Sequence, residues 1–256
     1  MDRLRLSLIV VLIVTAVSVY AAVGSSWKSY ETAVGGSQVA PLGEGITVRI
    51  NTNSALRTRI SQEHRDVVMM RGEALFDVSH EAGVPFGVEA GRAFVRTRGA
   101  KFSVRIRDPQ SVDVLVTEGE LTVALNDTKG APGSAVGEGK IVRVRGSGQA
   151  VCDTSQDEIA RALAWTEGNL RFDRRPLGDI VQEFNRYSER QLIIEDPSLV
   201  AARFSGRFVA TDEKSFLSTM GILGVVAQDR PEPNGRSVVV LRRAPGVSQQ
   251  VPPPAG

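Results

Sequence analysis

The residues able to do chemistry are few and scattered. His64 and His80 are the only histidines and read as surface residues, leaving little room for a histidine-rich metal site. Cys152 is the one cysteine, which excludes an intrachain disulfide and a cysteine-based zinc site. Its neighbours Ala150 and Val151 suggest a small buried side chain rather than a reactive thiol. Gly133–Lys140 (GSAVGEGK) has the composition of a phosphate loop. It carries one residue too many between the glycines, and Ile141 stands where a magnesium-binding Ser or Thr belongs, so it reads as a strand connection. No G-x-S-x-G stretch offers a strained serine nucleophile. No catalytic, cofactor-binding or metal-ligating residue is assigned, and an enzyme is not expected. What remains is recognition. Phe172, Arg174, Arg175, Phe184, Arg186, Tyr187 and Arg190 gather in the last third of the chain. Tyr and Arg are enriched at protein interfaces. Phe172, Arg186 and Tyr187 are therefore candidate partner-docking residues, the alternative being core aromatics beside a solvated basic edge.

Two kinds of element must position these residues. From Ile46 the pattern has period two: Ile46, Val48 and Ile50, then Ala74, Phe76 and Val78, then Phe102, Val104 and Ile106. Val112 to Val116, Leu121 to Leu125, and Val142 with Val144 continue it. Such alternation marks half-buried strands. Turn signals separate the runs at Arg71-Gly72, Ala82-Gly83, Arg98-Gly99, Glu118-Gly119, Asn126-Asp127 and Gly137 to Gly139. Residues 46–148 are expected to form an all-β domain: a sandwich, barrel or solenoid. Residues 149–167 read as a connecting helix capped by Asp153 or Ser155. Over 168–243 the order is β-α-β-β-α-β-β. Pro176 suits the first position of a helix carrying Leu177, Ile180, Val181, Phe184 and Tyr187. Thr211 or Asp212 caps a second helix with Phe216, Leu217 and Met220. A hairpin closes around Asn234-Gly235. Residues 244–256 are proline-rich and expected to be disordered.

The 256 residues carry 31 basic and 29 acidic side chains, a net charge of +2. That balance argues against a dedicated nucleic-acid binder. Ahead of the β region, Leu6 to Val23 is an apolar run of eighteen residues without a charge. As a helix it spans roughly 27 Å, enough to cross a hydrocarbon core. Arg3 and Arg5 precede it, so the stub 1–5 stays in the cytoplasm and the bulk of the chain is exported. Trp27 and Tyr30 suit the far interface. A cleaved signal peptide is the competing reading, and it exports the same region. Residues 24–45, rich in Gly, Ser and Ala, are expected to be a linker.

Several stretches resemble the FecR family of bacterial transmembrane signalling regulators. Thr32-Ala33-Val34-Gly35 followed by Ile46 to Leu56 resembles the start of its β domain. Gly72 to Val78 and Pro85-Phe86-Gly87-Val88 resemble its central block, and Val114 to Gly119 its late hairpin. Trp165, Gly168, Leu170, Phe172, Pro176-Leu177, Phe184 to Tyr187 and Ser205 to Phe208 resemble its C-terminal part. That part is similar to the short N-terminal domain of secretins and TonB-dependent receptors.

The resemblance implies a mainly β fold: a transmembrane helix, a solenoid-like or roll-like β domain, then the small α+β domain. It implies a single-pass protein of the bacterial inner membrane, N-terminus cytoplasmic and bulk periplasmic. The implied partner is the signalling domain of a TonB-dependent receptor, whose loading, usually with an iron chelate, is relayed towards an extracytoplasmic-function sigma factor. Met1 to Arg5 are too few to bind a sigma factor. A truncated start, a sigma-binding part on a separate chain, or a receptor-side module without sigma control are the readings that follow. An envelope or secretion-assembly module without a sigma factor is the functional alternative. No cofactor is implied.

Overall fold

The computed structural model describes residues 27–43, 45–80, 83–126, 133–231 and 237–245. The stub 1–5, the apolar run Leu6–Val23 and the tail from residue 246 lie outside the described residues. The chain divides into two units. The first runs up to Thr32 and continues over Gln38–Ile50 and Ser54–Thr154. The second is the chain from Ser155 onward, joined by the short segments Ala33–Ser37 and Asn51–Asn53.

Eleven strands build the first unit: β1 (Lys28–Glu31), β2 (Gln38–Gly43), β3 (Ile46–Ile50), β4 (Ala55–Ile60), β5 (Arg65–Val78), β6 (Phe86–Ala90), β7 (Ala93–Asp108), β8 (Ser111–Leu125), β9 (Ser134–Gly137), β10 (Lys140–Arg145) and β11 (Gly148–Asp153). They form one sheet around a core that includes Phe76, Phe86 and Phe102, with ring centroids 5.3 to 6.5 Å apart. All pairings are antiparallel except β5 with β6.

Three of the expected turns are bends inside long strands. In β5 the side chains of the hydrophobic core are odd-numbered up to Met69 and even-numbered from Ala74. Among the same core residues the change in β7 falls between Val95 and Ala100, and in β8 between Val116 and Leu121. Each change coincides with a break in register, at Ala55/Leu56 opposite β5 and at Arg96/Gly99 and Lys101/Phe102 along β7–β8. One extra residue per bulge turns the parity over while the same face keeps facing the core. Hydroxyls fasten the bulges. Ser54 Oγ accepts from Glu73 N (3.0 Å), Thr97 Oγ1 donates to Glu120 O (2.8 Å), and Thr117 Oγ1 donates to Lys101 O (2.9 Å). Gly72 (φ +90°) is required at the first bend: a Cβ there would lie 2.5 Å from Ser54 Cα.

Residues 24–45, expected as linker, contribute β1 and β2. Their inward side chains, Tyr30, Ala40 and Leu42, make too short an apolar series to stand out. The partners β4 and β3 supply the missing edge. Residues 148–153, placed mostly in a connecting helix, form β11 against β10. This strand ends the sheet and exposes Val151 (43%), so no alternation marks it. Cys152 is accordingly half-buried rather than enclosed. Ser134–Gly137, read as part of a connection, pairs with β8.

In the second unit Ser155 caps helix α1 (Gln156–Ala162) through a capping box with Glu158. A single 3₁₀ turn, Ala164–Glu167, follows. Then come β12 (Asn169–Pro176), α2 (Leu177–Asn185), β13 (Gln191–Ile194), α3 (Pro197–Val200), β14 (Arg203–Val209), α4 (Glu213–Ile222), β15 (Val225–Pro231) and β16 (Ser237–Arg243). This is the expected β-α-β-β-α-β-β order with one extra helical turn. Pro176 is the N-cap of α2 rather than its first helical residue. Asp212 caps α4 by accepting from Ser215 N at 3.0 Å. Strands β12 and β14 form an antiparallel ribbon; β13, β16 and β15 form a second sheet in that order, β13 parallel to β16.

Candidate protein-docking surface

The second unit is held by four phenylalanines. Phe184 stacks on Phe216 at 4.3 Å, and Phe208 meets both edge-on at 5.8 and 5.4 Å. Phe172 joins them, 6.1 Å from Phe184 and 6.4 Å from Phe208. The apolar face of α2 (Leu177, Ile180, Val181, Phe184) covers this cluster, as the three- and four-residue spacing predicts.

The structure places the candidate docking residues in or beside the core of this unit. Phe172 is a core ring, 9% exposed. Tyr187 is also buried, its hydroxyl accepting from Asn51 Nδ2 at 2.8 Å. Arg186 lies over the Tyr187 ring (5.6 Å to its centroid), pairs with Glu183, and accepts from Thr52 Oγ1 at its carbonyl (3.0 Å). Thr52 Oγ1 in turn accepts from Gly35 N at 2.7 Å. Arg186 and Tyr187 are thus brought together, but to hold the segments Ala33–Ser37 and Asn51–Asn53 within this unit. Phe172 is not part of that arrangement.

The exposed apolar side chains lie elsewhere. Ile222 is 85% exposed, Leu223 53% and Val226 46%. They occupy the last residue of α4, the turn after it and the start of β15. Gly224 (φ +78°) ends the helix and carries the chain directly into the strand. After Val225 every residue of β15 is exposed. This strand is an edge, paired only with β16 among the described residues.

The opposite edge of the same sheet is closed. Asn185 Oδ1 accepts from Leu192 N (2.8 Å) and its Nδ2 donates to Leu192 O (2.9 Å), occupying the free side of β13 with a side chain. Gln191 Nε2 donates to Asn185 O (3.1 Å) and to Ser188 O (2.7 Å). An unpaired strand edge is a template for another strand, and side-chain plugs of this kind remove it. Among the described residues, β15 has the template without the plug.

Charges hold the outer strands of this sheet. Arg190 pairs with Asp229 of β15, and Glu195 accepts from Arg242 and from Arg230 (3.2 Å). The hydrogen bond from Arg242 holds the Glu195 carboxyl below its ordinary range, outweighing slight desolvation. What the surface offers is main-chain hydrogen bonding beside an apolar shelf, which suits an extended protein segment. Among the described residues no group of three His, Cys, Asp or Glu side chains is placed to hold a metal ion.

The exposure of Ile222, Leu223 and Val226 was not read from the sequence. A signal existed: Ile222 and Leu223 continue the apolar run after Met220 although the helix stripe is already filled by Phe216 and Met220.

Two crystal structures of a candidate anti-sigma factor from Parabacteroides distasonis ATCC 8503 share this fold. Their TM-scores are 0.67 and 0.66, each at 19% identity. The alignments cover 85% and 86% of this chain and 99% and 100% of theirs. Among curated proteins, none matches the sequence. The model of the family described as FecR protein matches residues 28–122.

Proposed function

The chain carries a FecR-family domain over residues 28–122, and from that premise we propose that it is a membrane-anchored periplasmic regulator. It binds the signalling domain of a TonB-dependent outer-membrane receptor and relays that receptor's state towards an extracytoplasmic-function sigma factor, in iron or other nutrient uptake. The apolar run Leu6–Val23 supplies the inner-membrane anchor in this reading. The likeness in fold to a candidate anti-sigma factor supports the same direction. The family is one of regulators rather than enzymes.

The observation that carries the proposal is the open edge of β15 beside Ile222, Leu223 and Val226. It follows the FecR domain in the chain and has the chemistry of a strand-addition site. The test is binding of the full chain, reconstituted in membranes, to the signalling domains of TonB-dependent receptors from the same organism. Ile222→Asp with Val226→Asp should weaken binding at least tenfold, since each buried apolar contact contributes on the order of 1 kcal/mol or more. Unfolding midpoints should stay unchanged. Undiminished affinity in that variant, or no binding by the parent chain, would refute the docking assignment.

A further inference from the structure

We propose that Trp27, Arg57 and Arg59 form a site for anionic phospholipid headgroups, which seats the outer face of β1 and β4 on the membrane surface. The inference rests on the membrane-anchor reading of Leu6–Val23.

Three observations support it. The first is geometric. The Arg57 guanidinium lies 5.4 Å from the Trp27 ring centroid and that of Arg59 5.1 Å. Both arginines project from the outward side of β4, whose intervening residues Leu56 and Thr58 are buried. Trp27 is 37% exposed, so the indole is shared between the two cations and solvent. An indole flanked by guanidinium groups combines an amphipathic ring with phosphate-binding forks.

The second is charge. Arg59 is paired with Asp66 at 3.0 Å, and His64 stands 3.7 Å from the same carboxylate. Farther along, Glu31 is matched by Arg71 at 3.8 Å. Among the described residues, no carboxylate comes within ion-pair distance of Arg57. The cluster therefore keeps a net positive charge with one guanidinium unneutralised. Val68, across from Arg57, and Met70, 50% exposed, add apolar surface on the same outward side.

The third is reach. Only Gly24, Ser25 and Ser26 separate Trp27 from the end of the apolar run. Four extended residue steps span at most about 14 Å. The headgroup layer on one side of a bilayer is roughly 5–8 Å thick. Once residues 6–23 cross the membrane, Trp27 stays within about 14 Å of the hydrocarbon edge, a range that includes the headgroup layer where Trp is enriched. An anionic surface there is attractive to each added arginine.

The experiment uses the full chain reconstituted into phosphatidylcholine vesicles with or without phosphatidylglycerol. Trp165→Phe removes the other tryptophan, so emission reports Trp27 alone. Flotation of the vesicles first establishes that the chain is membrane-integrated. Trp27 should then be shielded from iodide, with blue-shifted emission, in phosphatidylglycerol vesicles and not in phosphatidylcholine alone. The ratio of shielded to open forms should fall about fivefold in Arg57→Gln and about 30-fold in Arg57→Gln/Arg59→Gln. Arg57→Gln breaks no ion pair among the described residues but removes a contact with the Trp27 ring, so an unchanged unfolding midpoint in the variant is required to show that the fold is kept. A chain that floats but shows the same shielding in both lipids, or the same shielding without Arg57, overturns the headgroup site and leaves the anchor standing. A chain that does not float overturns the anchor and this inference with it.

Discussion

Replacing Gly72 by Ala tests whether the first unit is one folded-over sheet of bent strands. Three costs add at this position. A side chain at φ +90° is strained by about 1–2 kcal/mol. The new Cβ would lie 2.0 Å from Ser54 Oγ and 2.5 Å from Ser54 Cα, and the second of these is backbone with little freedom to yield. Displacing Ser54 also breaks its hydrogen bonds with Glu73 N (3.0 Å) and Glu73 O (3.2 Å), about 1 kcal/mol each. The sum is about 3–4 kcal/mol, a large share of an ordinary domain's stability. Gly139→Ala is the control. Its φ is +75° with no atom within 4 Å of the added Cβ, so only the strain of about 1–2 kcal/mol applies. Urea unfolding of both variants in a Trp165→Phe background reads the first unit through Trp27, which belongs to it. Gly72→Ala should fall below Gly139→Ala by about 2 kcal/mol. Equal losses would mean that the Ser54 side of the bend yields freely, and the bulge is not pinned as described.

Two further outcomes follow from buried groups. Asp113, 6% exposed, accepts from Arg107 at 2.5 Å and Arg145 at 2.6 Å. Burial alone would raise its carboxyl; the two guanidinium groups more than offset this and hold it below the ordinary range. Its stabilising contribution is therefore complete above the unfolded carboxyl value near 3.9 and is lost as pH falls through the lower folded one. Asp113→Asn should cost about 2 kcal/mol at neutral pH, and the gap to the parent should narrow on acidification below about pH 4, measured by urea midpoints across that range. A gap that does not change with pH would refute the ionic account. Phe184→Ala should destabilise the second unit by about 3–5 kcal/mol, followed by Trp165 emission in a Trp27→Phe background; a loss below 1 kcal/mol would mean the aromatic cluster is not its core.

Most of the apolar alternation in the β region was legible, because half-buried strands write themselves in period two. The length of the strands was not. Val67 and Met69 belong to the same strand as Ala74, Phe76 and Val78, yet the bulge reverses their parity, and a reader of period two sees two strands with a turn at Gly72. Gly99 and Gly119 mislead in the same way. Edge strands failed for the opposite reason: β11 buries little, so it has no pattern to show. In the second unit the helices and their caps were visible because Ser155, Asp212 and the Leu177–Phe184 stripe act locally. The burial of the candidate docking residues was not legible, because residue type does not report exposure. Phe172 and Tyr187 share the inward spacing of their neighbours, and what faces solvent is the surplus beyond a filled stripe, Ile222 and Leu223.

The plug that Asn185 places on β13 has a consequence for stoichiometry. A sheet open on both sides can add strands without limit and tends towards polymers. This one is plugged at Leu192 on the β13 margin and, among the described residues, unpaired on the β15 margin, so it offers one place for an added strand. A partner strand that occupies β15 completes the sheet, and whether growth then stops is decided by the partner's own outer edge. Removing the plug, rather than altering β15, is therefore the change expected to turn a single added strand into an open-ended assembly.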